Sequence, residues 1–181
     1  MSDVIETIDV DVDLQTVYNQ WTQFEEFPRF MEGVEEVEQL DDRHLRWIVE
    51  IAGFDREFET EITEQTPDER VAWKATTGVE QAGVVTFHRL DDDQTRVTFQ
   101  MIFEPEGVAE QVGDKLGMVS RRAKGDLERF KDFIEQRGTE TGAWRGEIPR
   151  AGKADRTPAE PGAEGMYVAD DGDIAPGVPQ V

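Results

Sequence analysis

The sequence has no cysteine and only two histidines in 181 residues. Without cysteine it can form no disulfide and no thiolate metal site, and it has no thiol nucleophile. The two histidines, His44 and His88, are too far apart in the sequence for the close ligand spacing of a zinc site. The sequence also lacks a glycine-rich phosphate loop and a serine elbow. We therefore predict no metal, no cofactor and no catalytic residue from a known motif.

Long apolar runs are also missing. No segment approaches the roughly 18 apolar residues that mark a membrane-spanning helix. The first residues do not have the basic, apolar and small-residue order of a secretory leader. We therefore predict a cytoplasmic protein without integral membrane association.

Positive charge is scarce, since 19 lysine and arginine residues face 41 aspartate and glutamate residues. The formal net charge is −22 and the pI is about 4.3. Such an acidic surface repels the phosphates of nucleic acids and of anionic lipids. The sequence therefore predicts no nucleic-acid partner.

The length fits one domain with a substantial core, and the composition changes after residue 137. Residues 138–181 hold eight of the 16 glycines and five of the eight prolines, without apolar periodicity. We predict a folded domain over 1–137 and an extended or disordered acidic tail over 138–181. Trp144 and the Met166–Val168 patch are apolar exceptions that could dock on the domain or on a partner.

Apolar periodicity orders the domain into strand, two short helices, six strands and one long helix. A half-buried strand is predicted near Val4–Val12, followed by two short helices that end at Gly33. Period-two alternation then runs from Val34 to Phe103, with polar turns between the segments. From about Gly107 to Arg137 apolar residues recur every three or four positions, which predicts one long amphipathic helix. The fold class is α+β, with an antiparallel sheet that has one solvent-exposed face.

Aromatic residues dominate the positions that face inward from the sheet, the short helices and the long helix. If the sheet is strongly curved, these side chains line an apolar cavity for a hydrophobic ligand. Otherwise they interdigitate into a filled core of ordinary density. The candidate cavity residues are Trp21, Phe27, Phe30, Met31, Trp47, Phe58, Thr60, Trp73, Phe87, Phe99, Met101, Phe103, Leu116, Val119, Ala123 and Leu127.

Polar candidates for chemistry are few. Thr60 is the one clear polar residue on an inward position, and a lone threonine there usually has a satisfied hydroxyl. Both histidines and the set Glu57, Glu59 and Glu61 fall on the outward face, which favours solvated surface residues. The possible cavity mouth consists of Gly113, Gly117, Arg121 and Arg122, although the two arginines can equally balance nearby carboxylates.

Three segments carry a resemblance to a known family: Tyr18–Met31, Ile62–Trp73 and Gly125–Lys131. Through them the chain resembles the SRPBCC superfamily, in its START-like, polyketide cyclase–dehydrase and coenzyme Q-binding branch. The resemblance covers about residues 3–137. It implies a helix-grip fold (START/Bet v 1-like), in which a curved antiparallel sheet of about seven strands wraps around a long C-terminal helix. It also implies a cavity, but it is weak evidence for one activity because the superfamily hosts several.

We therefore expect a binding protein for a small hydrophobic molecule such as a quinone, a lipid or a polyketide-like compound. The first alternative is a cyclase or dehydrase, which would need two or more inward polar residues close together. The second alternative is an interaction module with a filled or vestigial cavity, whose tail recruits a partner.

Overall fold

In the computed structural model, the described residues are 2–51, 53–104 and 109–151, with side chains in the last range described from residue 115. The strands are β1 (Ser2–Val10), β2 (Val34–Gln39), β3 (His44–Ile51), β4 (Phe54–Thr66), β5 (Arg70–Ala75), β6 (Gln81–Asp91) and β7 (Gln94–Phe103). The helices are α1 (Leu14–Trp21), a 3₁₀ helix (Phe24–Arg29) and α2 (Ala109–Arg137). The predicted order of elements is confirmed.

The strands form one antiparallel sheet in the order β1-β7-β6-β5-β4-β3-β2. Strands β2 to β7 therefore pair with their neighbours in sequence, while β1 crosses over to pair with β7, from Ser2 opposite Phe103 to Val10 opposite Thr95. The sheet is curved, and its concave face carries the core. The predicted helix-grip fold is confirmed.

The two short helices close one end of the concave face. Asp13 caps α1, its side chain accepting a hydrogen bond of 3.0 Å from the backbone N–H of Thr16. The second helix is a single 3₁₀ element that contains Pro28 and buries Phe24 and Phe27. Aromatic side chains from both helices thus reach the core at this end.

Helix α2 is attached through its C-terminal half to β1 and to the segment that follows the 3₁₀ helix. Lys131 Nζ donates to the carbonyl of Asp9 on β1 at 2.9 Å. On the other side, Arg129 Nε donates to the carbonyl of Phe30 at 2.9 Å. Asp126 accepts from Arg129 and from the backbone N–H of Glu32. Burial raises the pKa of Asp126, and the hydrogen bond from Arg129 offsets part of that rise.

A β-bulge in β4 places a polar side chain in the core. The register between β4 and β5 shifts between Ile62 and Glu64, so that Gln65 turns inward and is fully buried. Its Nε2 donates to the hydroxyl of Tyr18 at 3.1 Å. Burial raises the pKa of Tyr18, because the charged phenolate would be poorly solvated there.

The chain after α2 packs back onto the domain. Gly138 ends the helix with a φ of +70°. Gln20 then holds Thr141 through two hydrogen bonds, and Ile148 is buried and forms a β-bridge with Gln65. The compact unit runs to Ala151, whereas the composition placed its end at 137. The rest of the predicted tail, including Met166–Val168, lies outside the described residues.

Trp144 belongs to this returning segment. It packs against the core, and its backbone N–H donates to the hydroxyl of Thr22 at 3.0 Å. Arg145 beside it forms a bidentate ion pair with Asp68. Its Nη1 lies 3.0 Å from Oδ1 and its Nη2 lies 2.7 Å from Oδ2. Of the two apolar patches predicted as docking elements, Trp144 therefore docks on the domain.

Candidate functional site

The concave face is filled at the end that carries the short helices, which we call the packed end. Trp21, Phe27, Phe30, Phe87 and Phe130 are all buried there. The ring of Phe130 lies edge-on to Trp21, with centroids 5.1 Å apart, and to Phe30, with centroids 5.2 Å apart. These side chains leave almost no surface accessible to a ligand, as in an ordinary protein interior.

The candidate residues Trp21, Phe27, Phe30, Phe87 and Leu127 therefore belong to a filled core rather than to a cavity wall. Met31 is partly exposed but packs against the same core, and Phe103 is buried at the end of β7. For this part of the predicted list, the interdigitated core is the correct alternative.

The other end of the concave face differs, and we call it the open end. Its sheet residues share the inward face with buried neighbours and yet stay partly exposed. Trp47, Trp73 and Phe99 pack against the border of the core. The helix residues opposite them, on the inner side of α2, are partly exposed as well. The open end consists of Trp47, Phe58, Trp73, Phe99 and Met101 from the sheet and Leu116, Val119 and Ala123 from α2.

Trp73 forms the floor of the open end, and Gly83 makes its position possible. A Cβ added at Gly83 would lie 2.6 Å from Cη2 of Trp73 and 2.7 Å from the carbonyl oxygen of Gln100. The indole therefore lies across β6 on the bare backbone of Gly83 and reaches Phe99, with ring centroids 5.7 Å apart. The result is an aromatic surface that spans three strands, with the two rings inclined by 33° to each other.

Trp47 and Phe58 form the side wall of the open end. Their rings are stacked with centroids 6.0 Å apart and an interplanar angle of 6°. Trp47 Nε1 donates to the hydroxyl of Thr60 at 2.9 Å. Thr60 is 1% exposed, so it lies behind the wall and orients Trp47 instead of facing a ligand.

Helix α2 bridges the two sides of the open end near its middle. Arg122 reaches the end of β3, where its Nη1 donates to the carbonyl of Glu50 at 3.1 Å, and its guanidinium lies against Gly33. Ser120 reaches the edge strand β1, where its hydroxyl donates to the carboxylate of Glu6. The helix is thus fixed on both sides while the aromatic surface between stays partly exposed.

Glu6 is a residue of this site that sequence reasoning missed. It lies between Val4 and Ile8 on the inward face of β1 and is paired with Phe99. The adjacent Ile5 points outward and is 55% exposed. Because Val4 and Ile5 are adjacent apolar residues, the sequence does not show which of them faces inward. A charged residue at an inward position adds no hydrophobic signal of its own.

Of the four predicted mouth residues, three have surroundings that the structure describes. Arg122 binds at the rim, whereas Arg121 is exposed on the outer side of α2. A Cβ at Gly117 would meet no atom within 4 Å, so this glycine leaves open space rather than allowing a close approach. Gly113 falls in the part of α2 whose side chains are not described.

The outer face of the sheet carries the remaining charged candidates. Glu57 and Glu61 form ion pairs with Arg46 and Lys74 at 3.9 and 3.2 Å, and His88 is exposed. Within the described ranges, no group of three His, Asp or Glu side chains is arranged to hold a metal ion. Across the same residues, no helix is long and apolar enough to cross a membrane.

A depression of about 540 Å³ lies outside the concave face, between the start of α1 and the β6–β7 turn. It is lined by Asp11, Asp91, Asp92, Asp93 and Gln94. These side chains are exposed or nearly so. The depression is polar and open, and it offers nothing to an apolar ligand.

The curved antiparallel sheet and its long C-terminal helix define a class of proteins that place a helix across a curved sheet. Residues 10–132 match the family described as "Polyketide cyclase / dehydrase and lipid transport". The match covers most of the chain, which therefore belongs to this family.

The chain is 62% identical over 149 residues to an uncharacterized 17.2 kDa protein from the melC2–rnhH intergenic region of Streptomyces lincolnensis, covering 82% of this chain and 99% of that protein. It shares its fold with the Zhui aromatase/cyclase from Streptomyces sp. R1128, at a TM-score of 0.66 and 18% identity over 79% of this chain and 99% of that one. A START superfamily protein from Mycobacterium smegmatis gives a TM-score of 0.58 and 18% identity over 75% of this chain and 95% of the other. At these identities the two structures establish the fold alone.

Proposed function

We propose that the protein binds a small hydrophobic molecule, such as a quinone, a lipid or a polyketide-like compound, at the open end between the sheet and α2. One observation carries the proposal. Trp73, Phe99 and Met101 lie on the same face of the sheet as the buried core and still keep part of their surface accessible. Water is a poor solvent for such a surface, which a hydrophobic ligand would cover.

The binding energy would come from buried apolar area. Each ~100 Å² of ligand surface removed from water contributes about 2.5 kcal/mol before the entropy costs of binding. The aromatic floor favours flat ligands, because a ring stacked on Trp73 and Phe99 covers the most area. The family and its START-like relatives support a hydrophobic ligand but leave its identity open. The cytoplasmic location stays a prediction.

The direct test is to purify the protein under native conditions, extract it with organic solvent and identify the extract by mass spectrometry. We expect one hydrophobic species in stoichiometric amount, or a site that an added quinone fills with quenching of tryptophan fluorescence. An empty extract together with no quenching by quinones or fatty acids would contradict the proposal.

A pair of helix variants locates the site. Ala123→Phe adds a ring on the inner side of α2, whereas the control Met118→Phe adds one on the exposed outer side. We expect Ala123→Phe to lose ligand and Met118→Phe to keep it. Equal retention by both variants would place the ligand elsewhere.

A cyclase or dehydrase of the polyketide type is the second candidate, and one observation favours it. Ser120 and Glu6 are two polar side chains in contact at the edge of the open end, which is the feature that such an enzyme would require. Incubation with a linear poly-β-ketone distinguishes the candidates. A carrier would return the substrate unchanged, and an enzyme would release a cyclised product over many turnovers.

A further inference from the structure

Glu6 is an acidic side chain at the border of an otherwise apolar surface. It shares the inward face of β1 with Val4, Ile8 and Val10, of which Val4 and Val10 are buried. Helix α2 runs beside this strand, and an apolar residue at position 6 would complete an ordinary helix–strand contact. A carboxylate in that place loses hydration, which is unfavourable unless the group has hydrogen-bond partners.

Ser120 satisfies only part of this need. An ionised carboxylate has two oxygens and about four acceptor positions. The hydroxyl of Ser120 donates to Oε1, which fixes the direction of the carboxylate and leaves acceptor capacity on the group. Both side chains are partly exposed, so a molecule at the open end can reach them.

The strand register places this acceptor beside the aromatic floor. Glu6 lies directly opposite Phe99 on β7, and such paired residues have Cβ atoms about 5 Å apart. Phe99 in turn contacts Trp73. A flat ring that lies on Trp73 and Phe99 would therefore bring its edge close to the carboxylate.

We propose that Glu6, oriented by Ser120, is the acceptor that selects hydrophobic ligands carrying a hydroxyl donor, namely aromatic alcohols of the phenol class. The inference rests on the proposed function, since it assumes a ligand at the open end. The negative charge disfavours ligands that end in a carboxylate, such as fatty-acid anions. Molecules of the same shape without a donor would leave the acceptor desolvated and unpaired.

Three probes with the same ring test the proposal: naphthol, its methyl ether and naphthoate. They present a donor, no donor and a negative charge, respectively. Calorimetric titration of the full chain should give binding of naphthol about tenfold or more tighter than of the ether, as one hydrogen bond to a charged acceptor predicts. Naphthoate should bind most weakly.

The variant Glu6→Gln keeps the shape of the side chain and an oxygen that can accept from Ser120. We expect the preference for naphthol over the ether to fall to within about threefold, and naphthoate to gain affinity. Asp3→Asn is the matched control, because Asp3 is an exposed carboxylate on the opposite face of the same strand. It should preserve all three affinities. Ser120→Ala should weaken the preference without abolishing it, since the acceptor remains but loses the hydrogen bond that orients it.

The ratio of the affinities for naphthol and for the ether is insensitive to a partly unfolded fraction, because both are measured on the same sample. Glu6→Asp is a second variant, in which the shorter side chain retracts the carboxylate. It should give an intermediate preference. If naphthol and the ether bind wild type equally and Glu6→Gln changes nothing, the selection by Glu6 is overturned while the binding function stands. If none of the three probes binds wild type, the selection by Glu6 is overturned, and the binding function is overturned only if the native extract is empty and neither quinones nor fatty acids quench tryptophan fluorescence.

Discussion

The packed end and the open end of the concave face are built from the same kinds of residues and have different surfaces. At the packed end, rings from α1, the 3₁₀ helix and the C-terminal half of α2 meet above the sheet, and Phe130 is fully buried. At the open end Trp73 and Phe99 stay partly exposed. The packed end supplies stability, and the open end is the surface that we propose for a ligand.

The largest expected difference comes from removing one ring at each end. Phe130→Ala should lower the free energy of unfolding by about 3–5 kcal/mol, because the ring is fully buried between Trp21 and Phe30. Phe99→Ala should cost about 1–2 kcal/mol, since part of that ring already faces solvent. Urea unfolding of both variants measures this. Equal costs would mean that the two ends are packed alike.

The second test disturbs only the open end. Gly83→Ala places a methyl group against Trp73 and the carbonyl of Gln100, so the indole must leave the floor. We expect a loss of about 1–3 kcal/mol in the free energy of unfolding and a loss of hydrophobic ligand. Ala72→Gly is the control, because Ala72 lies on the neighbouring strand and faces away from the floor. This variant should keep the ligand. Retention of ligand by Gly83→Ala would exclude Trp73 as the floor.

At the rim we expect a smaller change in the free energy of unfolding, and in the opposite direction. Gly117 lies inside α2, and an added Cβ meets open space. Gly117→Ala should therefore stabilise the protein by about 0.5–1 kcal/mol through helix propensity. Thermal unfolding measures the gain. A destabilised variant would show that this position needs glycine, and slower ligand entry in a stabilised variant would assign the glycine to the mouth.

The smallest effect concerns pH at the packed end. The pKa of Tyr18 is raised by burial, so its contribution to stability is complete below the unfolded value of about 10 and is lost as the pH rises through the folded value. The free energy of unfolding should fall as the pH rises above about 10. In Tyr18→Phe this part of the fall should be absent. An unchanged pH profile in that variant would assign the loss to other groups.

Periodicity predicted the elements and most inward faces because each strand keeps one buried side. Periodicity could not separate the packed end from the open end. It gives the direction of the Trp21 and Trp73 side chains but not which other side chains cover them. The bulge in β4 changed the phase before Gln65, and nothing in the local sequence marks it. Of the returning segment only Trp144 was predicted to dock, because Thr141 and Arg145 hold the segment through individual hydrogen bonds, which leave no periodic pattern.

The crossover of β1 has a consequence for how the protein folds. Strands β2 to β7 pair with sequence neighbours and can form by local hairpins, whereas contacts between distant segments are slow to form. Glu6 and Ser120 are separated by 114 positions, so their contact requires both β1 and α2 to have docked. We therefore expect the ability to bind naphthol to return only in the last refolding phase, after most tryptophan fluorescence has recovered. Ligand binding would then act as a kinetic reporter that the chain has joined its first strand to its last helix.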